Sequence, residues 1–98
     1  MPTPSPTPTP AAQRVSANIL NFTHQNVSVK AGTTVVWTNG DSDPHTASYG
    51  TPGNIGPVFR SPVLNQGESY SFTFTSPGTF PYFCEIHTDM RATVTVTP

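Results

Sequence analysis

Residues 68–84 read ESYSFTFTSPGTFPYFC and contain the clearest strand pattern in the chain. In residues 68–76, aromatic side chains alternate with serine and threonine, so the aromatic rings share one face of an extended strand: Tyr70, Phe72 and Phe74. Pro77 and Gly78 then predict a turn. Residues 79–84 predict the next strand, which ends at a cysteine. This succession of strand, turn and strand favours an all-β protein.

Similar strand patterns occur on both sides of this stretch. Residues 14–22, 26–30 and 33–39 predict three earlier strands. Trp37, in the third of these, is expected in the core. Residues 91–97 predict a final strand whose apolar side chains face one way: Ala92, Val94 and Val96. Because no segment has the apolar period of an amphipathic helix, the predicted fold is all-β, a small Greek-key β-sandwich of about seven to eight strands.

Residues 45–62 are richer in turn-forming residues than the segments around them. They include three glycines and three prolines: Gly50, Gly53, Gly56, Pro52, Pro57 and Pro62. Proline lacks a backbone N–H group, and glycine weakens the interior of a strand. At most short strands are therefore expected in this segment.

The first ten residues, MPTPSPTPTP, have proline at every even position. Such a run has almost nothing to bury and cannot form a ladder of backbone hydrogen bonds. We therefore predict a disordered Pro/Thr-rich tether over residues 1–12 and one folded domain over residues 13–98. No signal-peptide pattern and no apolar run of about 18 residues is present, so an export signal or membrane anchor is expected outside this chain.

Charged residues are few and scattered. They make up 9% of the chain, the formal net charge is −1, and the cationic residues are far apart in sequence: Arg14, Lys30, Arg60 and Arg91. Without a basic patch, nucleic-acid binding is not expected. No combination of nucleophile, base and acid suggests hydrolysis, so an enzyme is not expected either.

The stretch YFCEIHTDM contains the one cysteine of the chain, Cys84, followed by His87 and Met90 at steps of three residues. In the predicted fold, Cys84 ends one strand, Met90 precedes the last strand, and His87 lies on the loop between them. A thiolate with an imidazole selects copper, zinc or iron, and a thioether favours copper. Zinc normally takes four strong donors. A lone cysteine can also be a small buried hydrophobic residue.

A blue-copper arrangement combines two imidazoles and a thiolate with a weak axial methionine, so it needs a second histidine. His45 follows a turn after the Trp37 strand and can lie at the same end of a sandwich as the cysteine loop. His24 lies between the first two strands, where a solvated surface histidine is expected. We therefore favour His45.

Three stretches resemble the cupredoxins, the type I blue-copper proteins that include plastocyanin, pseudoazurin and amicyanin. They are NVSVKAGTTVVWTNGDSDPHT, SYSFTFTSPGTFPYFC and CEIHTDM. The likeness extends over residues 15–97, and the two-residue gap between histidine and methionine resembles that of the amicyanins. The resemblance implies that one copper ion is bound by His45, Cys84, His87 and Met90. It also implies one-electron transfer between redox partners by cycling of Cu(II) and Cu(I).

The resemblance carries further expectations. His87 should expose one ring edge as the electron port, with redox partner proteins docking near it. The backbone N–H of Thr46 should donate to the Cys84 sulfur, and Ile86, where relatives have proline, should supply a second N–H. Thr88 also replaces a proline of relatives and removes a rigid φ. A monomer in a periplasmic or extracellular location is expected.

Other interpretations remain open from the sequence. An extracytoplasmic copper carrier or buffer would use the same ligands, and an adhesive β-sandwich on a stalk would bind no copper. The acidic residues near the ligands have simple explanations. Asp41 and Asp43 fit turn chemistry, whereas Glu85 and Asp89 are expected to be solvated.

Overall fold

The computed structural model describes residues 13–98, so the tether predicted for residues 1–12 lies outside the described part of the chain. The described part contains eight strands and no helix, hence none that could cross a membrane. The strands are β1 (Arg14–Ser16), β2 (Val27–Lys30), β3 (Thr33–Thr38), β4 (Ser48–Thr51), β5 (Asn54–Arg60), β6 (Ser69–Phe74), β7 (Gly78–Phe83) and β8 (Arg91–Thr97).

The strands form two sheets, in the orders β1-β3-β6 and β2-β8-β7-β4-β5. The pairs β1–β3 and β2–β8 are parallel, and the remaining pairs are antiparallel. On β8, the predicted alternation is observed, since Ala92, Val94 and Val96 are all buried. Because each sheet has one apolar face, the two faces pack together and enclose the core. The predicted all-β sandwich is confirmed.

Trp37 joins the two sheets at the centre of this core. It is fully buried, as predicted. Its ring stacks on Tyr70 of the first sheet with the ring centroids 5.9 Å apart, and on Phe59 of the second sheet at 5.1 Å. Tyr82, also in the second sheet, meets the indole edge-on at 5.4 Å. Aromatic packing of this kind contributes both buried area and preferred ring geometry, so it sets the separation of the sheets.

The first strand is shorter than predicted. β1 ends at Ser16. Beyond it, Ile19 forms one isolated β-bridge with Asn39. The chain then turns back on itself, and Leu20 forms a second bridge with Thr23. The predicted strand over residues 14–22 was therefore wrong in its second half. The turn contains neither glycine nor proline, so it lacks the two residues that mark a turn most strongly in a sequence.

The segment of residues 45–62 forms a hairpin of β4 and β5, and β5 has seven residues. The prediction of at most short strands was wrong for β5, because the glycines here shape the hairpin instead of breaking it. Gly50 has φ 118° at the shift of register between β4 and β5. Gly56 passes so close to the Tyr49 ring that a side chain would not fit.

This hairpin brings distant parts of the sequence to one end of the sandwich. β4 pairs with β7 through Ser48 opposite Phe83. The residues just before β4 consequently lie beside the residue that follows β7, which is Cys84. Met90 immediately precedes β8, so the loop between β7 and β8 lies at the same end.

Replacing Gly50 by alanine should destabilise the protein more than the matched change Gly53→Ala. Both glycines have positive φ, 118° and 85°, so each alanine carries a backbone cost of about 1–3 kcal/mol. A Cβ atom at Gly50 would also collide with the carbonyl oxygen of Asn54, whereas nothing lies within 4 Å at Gly53. Urea unfolding of the metal-free variants measures the difference. Equal losses would contradict the close backbone approach at Gly50.

Candidate metal centre

Three side chains with metal-binding atoms meet at this end of the sandwich. The Cys84 Sγ atom lies 3.8 Å from Nδ1 of His45 and 3.8 Å from Nδ1 of His87. The three donor atoms all lie within 4.8 Å of one another. Within residues 13–98, no other group of histidine, cysteine and carboxylate side chains is arranged in this way. The structure thus brings together three of the four side chains predicted as ligands.

Met90, the fourth predicted ligand, closes the loop that carries Cys84 and His87. The Cys84 N–H donates to the Met90 carbonyl at 3.0 Å, and the Met90 N–H donates to the His87 carbonyl at 2.9 Å. The Met90 side chain is buried in the same apolar cluster as Cys84. These two hydrogen bonds hold the ends of the loop together and keep the loop compact.

Two backbone N–H groups point at the cysteine sulfur. The N–H of Thr46 and that of His87 each donate to Cys84 Sγ at 3.4 Å. The prediction for Thr46 is confirmed. The prediction that Ile86 supplies the second donor was wrong, because the loop turns so that the N–H of the following residue reaches the sulfur. Hydrogen bonding around a cysteine sulfur is one of the features that tune the redox potential of a copper site.

A polar network ties the residue after Cys84 to the residue after His45. The Thr46 hydroxyl accepts the Glu85 N–H at 2.8 Å and lies 3.1 Å from the Ser48 hydroxyl. Ser48 in turn donates to the Glu85 carboxylate. Arg60 donates two further hydrogen bonds to this carboxylate, at 2.9 and 2.7 Å. The hydrogen bonds from Arg60, which have the largest effect, and from Ser48 hold the pKa of Glu85 below its usual value. The expectation of a solvated Glu85 was therefore wrong.

His45 is oriented by a carboxylate. Its Nε2 lies 2.9 Å from Oδ2 of Asp41, which leaves Nδ1 directed at Cys84. In metal sites, a ligand histidine commonly donates its other ring N–H to a carboxylate, which fixes the tautomer and the ring orientation. The backbone N–H of Phe22 is the largest of several contacts that hold the pKa of Asp41 below its usual value. The sequence analysis expected only a turn role for Asp41, and that expectation does not account for its contacts with His45, Asn21 and Phe22.

His24 is buried, with 6% of its surface exposed, and the expectation of a solvated histidine was wrong. Its Nε2–H donates to the carbonyl oxygen of Thr46 at 2.9 Å, and its ring stacks on Tyr82 with centroids 5.0 Å apart. Its Nδ1 has no hydrogen-bond partner among residues 13–98. Burial lowers the pKa of His24 to about 4, and the positive charge of a protonated His45 adds to this effect. His24 therefore supports the backbone beside His45 and stays outside the donor cluster.

Phe22 was not singled out from the sequence, and the contacts that Asp41 and Glu85 make around the site were not predicted. None belongs to a ligand pattern: Phe22 and Asp41 reach the site through the fold, and Glu85, although next to Cys84 in the chain, meets Ser48 and Arg60 only through the fold. The nearest available signal was Asn21, because asparagine tolerates the left-handed backbone conformation and so favours a turn.

The comparisons with known proteins agree with this geometry. The model of the copper-binding proteins of the plastocyanin/azurin family matches residues 10–97. Amicyanin-alpha of Methylorubrum extorquens is 32% identical over 79% of this chain and 65% of its own length. Amicyanin of Paracoccus versutus is 35% identical over 79% and 58%. This chain thus spans somewhat less than two thirds of these relatives.

A plastocyanin and a solved amicyanin structure match over larger shares of their lengths. Plastocyanin of Scenedesmus fuscus is 38% identical over 79% of this chain and 87% of its own. The Cu(I) form of a mutant amicyanin superposes with a TM-score of 0.76 at 31% identity, covering 89% of this chain and 85% of the other. The likeness therefore includes the whole sandwich and the loops at its metal-binding end.

Acidification should destabilise the metal-free protein through His24. With a folded-state pKa of about 4 against an ordinary value of 6.5, the unfolded chain binds a proton first as the pH falls. The stability is complete above the ordinary value and is lost as the pH falls towards 4. The expected loss is about 2 kcal/mol between about pH 7.5 and pH 5.

The matched variant His24→Gln keeps an N–H donor for the Thr46 carbonyl but does not titrate. Urea unfolding of both metal-free proteins at the two pH values isolates the histidine, since every other group is shared. The wild type should lose more stability than the variant. Equal losses would mean that His24 is not held neutral by burial.

Proposed function

This chain belongs to the plastocyanin/azurin family of copper-binding proteins, and on that premise we propose that it is a type I blue-copper electron-transfer protein. The observation that carries the proposal is the convergence of His45 Nδ1, Cys84 Sγ and His87 Nδ1 at one end of the sandwich. One thiolate and two imidazoles in this arrangement, beside a methionine in the same loop, suit copper better than zinc. A one-electron carrier, and not an enzyme, is the function that this site supports.

We assign four residues as the ligands of one copper ion: His45, Cys84, His87 and Met90. When bound, the ion supplies the Cu(II)/Cu(I) couple. The chain supplies a thiolate, two oriented imidazoles and a weak axial thioether. His45 and Cys84 are fully buried, so water is excluded from most of the site. The hydrogen bonds at Asp41, Thr46 and the loop ends hold the donors in place, so the site changes little between oxidation states.

His87 is the proposed route for electrons between the site and a partner protein. It is the one member of the donor cluster that is partly exposed. Ile86, directly before it in the chain, is an exposed apolar residue, so a redox partner can approach without displacing strongly hydrated charges. We further propose that the protein works as a monomer outside the cytoplasm, and that residues 13–98 form the electron-transfer domain.

Adding one equivalent of Cu(II) to the purified metal-free protein should produce an intense blue absorption. Cys84→Ser should abolish it, because the colour depends on the bond between copper and the thiolate. His24→Gln, which lies outside the donor cluster, should retain it. The blue protein should also be reduced and reoxidised repeatedly in the presence of a chelator without loss of copper.

The alternatives give different results in this experiment. Loss of copper to the chelator within a few cycles would indicate a copper carrier instead. Absence of colour in the wild type would overturn the copper proposal and favour a metal-free β-sandwich module.

Removing either charge of the Arg60–Glu85 ion pair should shift the redox potential, and the two removals should shift it in opposite directions. Glu85 follows a ligand directly, so Glu85→Gln leaves Arg60 uncompensated near the site and should raise the midpoint potential. Arg60→Gln leaves the carboxylate uncompensated and should lower it, because negative charge favours Cu(II) over Cu(I). Cyclic voltammetry at low and high salt measures both shifts, which should shrink with added salt. Shifts of the same sign would rule out an electrostatic role.

A further inference from the structure

Residues 20–23 form a two-residue hairpin turn with an unusual occupant. Leu20 and Thr23 pair through two backbone hydrogen bonds, at 3.4 and 3.1 Å. The central residues Asn21 and Phe22 both have positive φ, 54° and 55°. Turns that require positive φ at both central positions favour asparagine followed by glycine, because glycine has no Cβ to clash with the backbone. Phenylalanine at the second position is therefore strained.

Burial does not explain this strain. Phe22 remains 48% exposed, so the ring gains only part of the stabilisation that a core position would give. Strained residues that persist in a fold are concentrated at functional sites, where the surrounding structure holds them in place. The contacts of this turn therefore indicate the function for which the strained Phe22 is retained.

The Asp41 carboxylate holds the turn in place. Its Oδ1 accepts the N–H of Asn21 at 2.7 Å, and its Oδ2 accepts the N–H of Phe22 at 2.8 Å. The same Oδ2 lies 2.9 Å from Nε2 of His45. One carboxylate thus joins the strained turn directly to a proposed copper ligand.

The Phe22 ring contacts both proposed histidine ligands. Its centroid lies 5.2 Å from that of His45 and 5.1 Å from that of His87, with interplanar angles of 86° in both cases. Edge-to-face contacts of this kind are the favourable geometry for aromatic rings. The two imidazoles are themselves 5.0 Å apart, so the three rings form a compact group.

We propose that Phe22 is a positioning residue that holds the imidazoles of His45 and His87 in one orientation during electron transfer, and that Asp41 latches it there. This inference rests on the proposed function. His87 is partly exposed and is followed by Thr88, which does not restrict the backbone as proline would. A ring fixed against both histidines limits their movement when the oxidation state changes, which keeps electron transfer fast.

Two glycine substitutions in the same turn test the proposal. Phe22→Gly and Asn21→Gly both relieve positive-φ strain and keep the N–H groups that bind Asp41, but only the first removes the ring. The measurement is electron self-exchange, followed by NMR in mixtures of the oxidised and reduced copper proteins. Phe22→Gly should slow the exchange about tenfold, equivalent to about 1.4 kcal/mol in the barrier, and Asn21→Gly should leave it unchanged.

The outcomes are distinct. Unchanged or faster exchange in Phe22→Gly would overturn the positioning role, and so would equal slowing in both variants. Unfolding of the copper-free variants shows whether either substitution acts through stability alone. If the wild type fails to bind copper or to exchange electrons, the proposed function fails, and the positioning role fails with it.

The latch is tested separately and without copper. Asp41→Asn offers one acceptor oxygen where the carboxylate offers two, so the hydrogen bonds to the turn should weaken. Hydrogen exchange in the copper-free protein should become faster at the amides of Asn21 and Phe22, and stay unchanged at the amide of Thr23, which is bonded to Leu20. Unchanged protection at Asn21 and Phe22 would overturn the role of Asp41.

Discussion

The metal-binding end of this protein depends on the hydrogen bonds of one residue, Thr46. Its N–H donates to the Cys84 sulfur, its hydroxyl accepts the N–H of Glu85, and its carbonyl accepts the ring N–H of His24. These bonds connect the segment that carries His45 with the loop that carries Cys84 and His87. Because the connection joins residues far apart in sequence, the donor cluster forms only when β4 and β7 are paired in the correct register.

The chain has few charged residues, and two of them, Asp41 and Glu85, lie at the metal-binding end. Asp41 contacts His45, and Glu85 directly follows Cys84. Each carboxylate accepts several hydrogen bonds, so both stay ionised beside the proposed copper site. Because only 9% of the residues are charged, these carboxylates and Arg60 contribute specifically to the local field at the site.

The predictions from the sequence succeeded where a local pattern controls the structure. The alternation in residues 69–74 and 91–97 predicted strands β6 and β8, and the fixed steps from Cys84 to Met90 predicted a short loop of metal-binding residues. They were wrong where distant partners control the structure. β5 is stabilised by its pairing with β4 despite its proline and glycine, and His24 is buried because Tyr82 and Thr46 surround it.

The sequence by itself determined the all-β class, the central tryptophan and the chemical character of the donors, because these follow from residue type and from spacing within a few positions. The tertiary structure alone decided that the second N–H group at the sulfur belongs to His87, that Asp41 orients His45, and that a strained Phe22 lies against both histidines. Those contacts depend on how the turn at residues 20–23, the segment before β4 and the loop after β7 meet at one end of the sandwich. No local pattern specifies such a meeting, because it results from sheet packing and strand register.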